Sequence, residues 1–185
     1  MGTRGAVGFK LEDKYYVTYN HFDSYAKGLG AEVVKFCKQV DEKDGWANLS
    51  KKVKKLKLVS LDDTPSGYCK RKYKKFSSLG VSEQSLDDWY CLLRNLHNGE
   101  MLWEIEKGTV THMIEYFDFM KDSLFCEYGY IINLDEMTLD FYRGFQKEPC
   151  ENNLPFPMVA DDGGYYPVKL RVKFEMDGLP SNWLM

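Results

Sequence analysis

The sequence contains no run of eighteen apolar residues, and its opening residues, Met1 to Gly5, show no basic-then-apolar leader pattern. These absences argue against a membrane span and a secretory route, so the chain is expected to act in the cytoplasm. Gly2 invites a myristoylation reading, but Ala6 stands where that signal needs Ser or Thr. Histidine is scarce, and His21, His97 and His112 have no i, i+4 partner that would place two imidazoles on one helical face. The five cysteines, at 37, 69, 91, 126 and 150, are odd in number and lack a C-x-x-C pair. That usage fits a reducing compartment rather than a disulfide framework or a zinc ribbon. Neither a metal nor a cofactor is expected.

What is present indicates one folded unit. Hydrophobic residues make up 44% of the 185 positions, enough apolar surface to offset the entropy of ordering a single core. Thirteen Tyr and eleven Phe favour a substantial sheet. Gly5–Leu11 and Lys14–Tyr19 are β-prone runs separated by Glu12-Asp13, which predicts a hairpin. Leu29, Val33, Phe36, Cys37 and Val40 form one helical stripe, and Trp46, Leu49, Val53 and Leu56 a second. Lys57–Leu61 reads as extended, and Ser82–Leu96 as a long helix closed by Asn98-Gly99. A short helix is expected at Phe117–Lys121. Leu124–Ile132 and Thr138–Tyr142 predict a second hairpin, and Val168–Phe174 a last alternating strand. The order of strands, helices and strands again, without βαβ alternation, gives an α+β class. The expected sheet is mostly antiparallel, with the central helices packed on it and a lysine-rich helical insertion at about 41–80.

Met-Gly-Thr-Arg-Gly at 1–5, Tyr19-Asn-His-Phe-Asp-Ser-Tyr25 and Gly28-Leu-Gly30 resemble a family of uncharacterised proteins seen in phages, bacteria and fungi. Glu127–Asp135 and Phe174–Pro180 resemble the same family's second hairpin and tail. The resemblance covers both ends and leaves out residues 41–120. It implies organisation rather than an activity, and its phage members imply a role in contact with a host.

Three readings compete for the N-terminal segment. Asn20, His21 and Asp23 with Arg4 suit a polar network that fixes a turn, because Asn and Asp side chains bond nearby backbone. The same residues suit a pocket in which Arg4 and His21 hold an anion, Tyr19, Phe22 and Tyr25 offer ring faces, and Gly28 and Gly30 admit a ligand. Thr3 at the head of the first strand also resembles the layout of N-terminal-nucleophile amide hydrolases, although cleavage beyond Gly2 would then be required. A rival surface is basic. Residues 51–75 hold ten Lys/Arg against two acids, a local charge of +8 within a chain of net −3. Lys51, Lys52, Lys54, Lys55, Lys70, Arg71, Lys72, Lys74 and Lys75 are thus candidates for a nucleic acid backbone, with Tyr68 and Tyr73 for stacking. Taken together, the sequence favours a non-catalytic binding protein for a host protein or a small anionic ligand. The hydrolase is the alternative, and nucleic acid binding the third reading.

Overall fold

A computed structural model describes residues 2–180 apart from 152 and 154. Met1 of the opening motif and two positions of the proline-containing loop therefore lie outside the described residues. The chain is α+β. Strands β1 (Gly5–Leu11), β2 (Lys14–Asn20), β5 (Tyr128–Asn133), β6 (Thr138–Arg143) and β7 (Lys169–Glu175) form a sheet in the order β2-β1-β5-β6-β7. Between β2 and β5 lie α1 (Ala31–Glu42), α2 (Trp46–Val53), β3 (Lys57–Val59), α3 (Gly67–Tyr73), α4 (Trp89–Leu92), α5 (Glu100–Glu106) and β4 (His112–Ile114). No helix among the described residues is long and apolar enough to cross a membrane.

Both expected hairpins form, the second with its first strand starting at Tyr128 rather than Leu124, for reasons readable in their turns. Glu12 and Asp13 both take positive φ, 52° and 57°, the twist a two-residue hairpin turn requires. Their N–H groups donate to the Asp135 carboxylate at 2.7 and 3.2 Å. That acid belongs to the β5–β6 turn, so one carboxylate ties the two hairpins together.

The sheet is mixed rather than mostly antiparallel. β1 pairs with β2 antiparallel but with β5 parallel, Gly5 opposite Tyr128 and Phe9 opposite Ile132. The long connection through the helices supplies the crossover that parallel pairing needs. The nearly continuous apolar character of β5 fits its central place, covered on both faces. On one face Val7, Phe9, Tyr16, Tyr130, Ile132, Leu139 and Phe141 pack in one cluster with the stripes of α1 and α2. Cys69 and Tyr73 of α3 join that cluster, so the 41–80 segment shares the main core. Against the other face, Ala6, Val17, Ile131 and Tyr142 meet Met120, Cys126, Phe156 and Val168.

The segment Ser82–Leu96 is not the long helix its periodicity predicts. Residues 79–88 are turns, with Ser82 and Gln84 at positive φ, and only Trp89–Leu92 is helical. Side chains win over the helical ladder here. Asp88 accepts the N–H groups of Tyr90 at 2.8 Å and Glu83 at 3.3 Å, and Ser85 Oγ accepts that of Asp87 at 3.0 Å. The apolar members still point inward, with Trp89, Leu93 and Leu96 buried. The expected short helix at Phe117–Lys121 is present as a 3-10 turn, and Met101–Ile105 lies in α5.

Gly8 marks the tightest contact in the sheet. A Cβ there would stand 1.9 Å from the Tyr16 carbonyl oxygen, a backbone atom of the paired strand. Gly8→Ala is expected to cost on the order of 3 kcal/mol, measured by urea denaturation, while Gly178→Ala, with open space around it, should change stability by less than about 1 kcal/mol. Equal effects at both positions would contradict this packing.

Candidate functional site

The sequence-predicted residues separate into a scaffold and a surface. Asn20, at the end of β2, is 1% exposed. Its amide nitrogen donates to the Phe22 carbonyl at 2.6 Å and to Ser24 Oγ at 2.8 Å, and its Oδ1 accepts the Asn98 N–H at 2.8 Å. Asp23 is exposed with φ 56°, and its carbonyl accepts the Leu29 N–H at 2.8 Å. The Tyr25 carbonyl accepts the Gly28 N–H at 2.9 Å, while its ring is exposed and lines neither cavity described below. A Cβ on Gly28 would lie 2.2 Å from the Asp23 carbonyl oxygen, so this glycine serves close chain packing rather than ligand access. Thr3 is half-buried, and its carbonyl accepts the Ser24 N–H at 3.1 Å. For Asn20, Asp23 and Tyr25, the polar contacts thus belong to loop architecture.

Arg4, Tyr19 and His21 do reach a common surface. A shallow groove of about 310 Å³ is lined by Arg4, Tyr19, Tyr90, Tyr116, Phe119 and Phe125. It adjoins a narrow cleft between Tyr19, His21, Tyr90, Arg94, His97 and Tyr116. The Tyr19 ring stands 5.6 Å from Tyr116 and 5.1 Å from Phe119, edge to face with the latter. The Arg4 guanidinium lies 4.4 Å over the Phe125 ring, and that of Arg94 lies 5.3 Å over Tyr90. Tyr19 Oη and His21 Nδ1 are 3.2 Å apart. The chain continues through Phe22, whose ring meets His97 at 4.6 Å.

Glu127 Oε1 accepts the Arg4 backbone N–H at 3.2 Å, while the lining of groove and cleft holds two guanidinium groups and no carboxylate. Among the described residues no carboxylate lies within ion-pairing distance of Arg4 or Arg94, and Arg94 Nε is buried with no hydrogen-bond partner. Burial first, and the Arg94 charge second, hold both His21 and His97 below their ordinary value. Burial pushes the Tyr116 hydroxyl up to about 12. Burial raises the Tyr19 hydroxyl as well, so both stay protonated as donors at neutral pH. Such a surface can receive a carboxylate or phosphate and lay a ring beside it.

Sequence reasoning missed Tyr90, Arg94, His97, Tyr116, Phe119 and Phe125. Tyr90 and Arg94 fell within the expected long helix, and His97 lies just beyond its end. The aromatic run Tyr116-Phe117-Asp118-Phe119 was the available signal, being ring-rich without a strand or helix period.

The basic residues line neither the groove nor the cleft, and four of the nine are paired with carboxylates. Lys54 pairs with Glu12, Lys52 with Glu106, Lys70 with Asp87 and Lys75 with Glu104. Lys72 donates to Thr111 Oγ1 at 3.2 Å. Lys51, Lys55, Arg71 and Lys74 are exposed with no carboxylate in pairing range among the described residues. His112, the third histidine, is held between Trp89, stacked at 5.2 Å, and the Tyr73 hydroxyl at 2.9 Å, with Cys69 Sγ 3.9 Å from Nε2. No group of three or more His, Cys, Asp or Glu able to hold a metal occurs among the described residues.

Comparison with protein-family models, with curated proteins and with solved structures finds no match to this chain.

The histidine environment has a consequence for pH. The unfolded chain takes up protons near 6.5, whereas folded His21 and His97 resist them until lower pH. Their contribution to stability is thus fully present above 6.5 and is lost as pH falls through the folded values. NMR titration should place both midpoints below 6.5, and Arg94→Gln should raise both. Midpoints at or above 6.5, or insensitive to Arg94, would contradict the described field.

Proposed function

We propose that this chain is a binding protein whose groove captures an acidic, ring-bearing segment of a partner protein. The observation that carries the reading is the pairing of two guanidinium groups, without carboxylate partners among the described residues, with five tyrosine and phenylalanine rings on one shallow face. Arg and aromatic residues dominate the energetic centres of protein interfaces. The open form of the groove suits a protein segment better than an enclosed small molecule. Partner carboxylates would dock on Arg4 and Arg94, with its rings against Tyr90 and Phe125. The resemblance of both chain ends to a family with phage members makes a host protein the expected source of that segment.

A peptide-display selection against the whole chain tests this. Enriched peptides should carry Asp or Glu near an aromatic residue. Arg4→Ala and Tyr90→Ala should each weaken binding by about 2 kcal/mol, with circular dichroism showing both variants folded. Enrichment of basic peptides, or affinities indifferent to both substitutions, would overturn the proposal. Retained acidic-peptide binding in Arg71→Ala and Lys74→Ala would separate this surface from the basic segment.

A further inference from the structure

A second cavity lies on the helix-bearing side of the sheet, lined by Ala26, Tyr128, Phe141, Arg143 and Arg171, with a volume of about 430 Å³. It shares no lining residue with the groove described above. Its position follows from an irregularity in the β6–β7 pairing. Phe141 opposes Val172 and Tyr142 opposes Leu170, so Arg171 is an extra residue between two paired positions. Such a bulge redirects the side chain it carries. Here it sets Arg171 at the cavity also lined by Arg143, the last residue of β6. The Arg143 guanidinium lies 3.9 Å from the Tyr128 ring centroid, a stacking contact that orients its planar fork. Among the described residues neither arginine has a carboxylate within ion-pairing range. Lys173, on the same strand, is by contrast engaged by Glu136.

Two like charges held at one cavity without a counterion repel each other, and the arrangement is relieved by a dianion that accepts from both forks. The remaining lining is small or aromatic, and the volume falls within the range of small-molecule sites. We infer that this cavity is a second binding site, which takes a small phosphate monoester bearing a planar ring, of the nucleoside monophosphate kind. The phosphate is received between Arg143 and Arg171, and the ring lies over the apolar part of the lining near Ala26 and Tyr128. Binding is reversible and no bond changes.

The test is calorimetric titration of the whole chain with adenosine 5′-monophosphate, adenosine and inorganic phosphate as separate probes. The monophosphate should bind at least about tenfold more tightly than either fragment. Arg171→Ala, at an exposed position, and Arg143→Lys, which keeps the charge but loses the fork, should each weaken it by about tenfold or more. Circular dichroism should show both variants folded. No binding of the monophosphate, equal binding of adenosine, equal binding of inorganic phosphate, or an affinity unchanged in the folded Arg171→Ala chain would each overturn the inference. Arg4→Ala should leave this titration as it is, so that failure here and failure of the protein-binding groove are distinguishable.

Discussion

The buried side chain of Asn20 ties the loop that follows it to a turn 78 residues further along the chain. It leaves the end of β2, bonds the Phe22 carbonyl and the Ser24 hydroxyl on one side, and accepts the Asn98 N–H from the other. Each partner is a group whose bond would otherwise be lost away from water, at about 1–3 kcal/mol apiece. Ser24 is held further by Tyr130, whose hydroxyl donates to its carbonyl at 2.9 Å from the central strand, and by Thr3. The Asn98 turn carries the neighbouring His97, and the loop after Asn20 carries His21 and Phe22. One amide thus sets the distance between two lips of the groove.

Charge chemistry separates the molecule's arginines from its lysines. Most of the lysines conspicuous in the sequence are matched by carboxylates or hydroxyls: Lys52, Lys54, Lys70, Lys72 and Lys75 all have partners. A paired lysine on a wet surface is weakly stabilising and offers little to a phosphate backbone. Arg4, Arg94 and Arg143 stack on rings with no carboxylate in pairing range among the described residues, whereas Lys72 and Lys75, also set over rings, are engaged by Thr111 and Glu104. Stacking leaves the fork's donors available, the form in which arginine recognises anions. The local excess of +8 at residues 51–75 therefore overstates that segment's pull on nucleic acid, while four scattered arginines mark two concave surfaces.

Much of the fold was legible because local chemistry dictated it. Glu12-Asp13 and Asn133–Met137 specify hairpin turns, and the stripes from Leu29 to Val40 and from Trp46 to Val53 fall on buried helix faces as their spacing requires. Pairing between β1 and β5 was not legible, since no local pattern tells a strand which distant neighbour it meets or in which direction. Ser82–Leu96 misled because its apolar spacing is helical while Ser82, Ser85 and Asp88 supply competing bonds to the backbone. That error hid Tyr90 and Arg94, which line the site from within the segment, and His97 just beyond it. Arg4, Tyr19 and His21 were found because rings and cations cluster near them in sequence. Asn20 and Asp23 belonged to the turn network that was weighed beside the pocket.

Amide hydrogen exchange resolved by residue, compared between the native chain and Asn20→Ala, addresses the central claim most directly. The account predicts that protection at Ser24, Leu29 and Asn98 falls together in the variant, while amides of β5 and β6 keep theirs. Protection lost on one side only, or retained at Asn98, would contradict the claim that Asn20 holds the two lips of the groove as one unit.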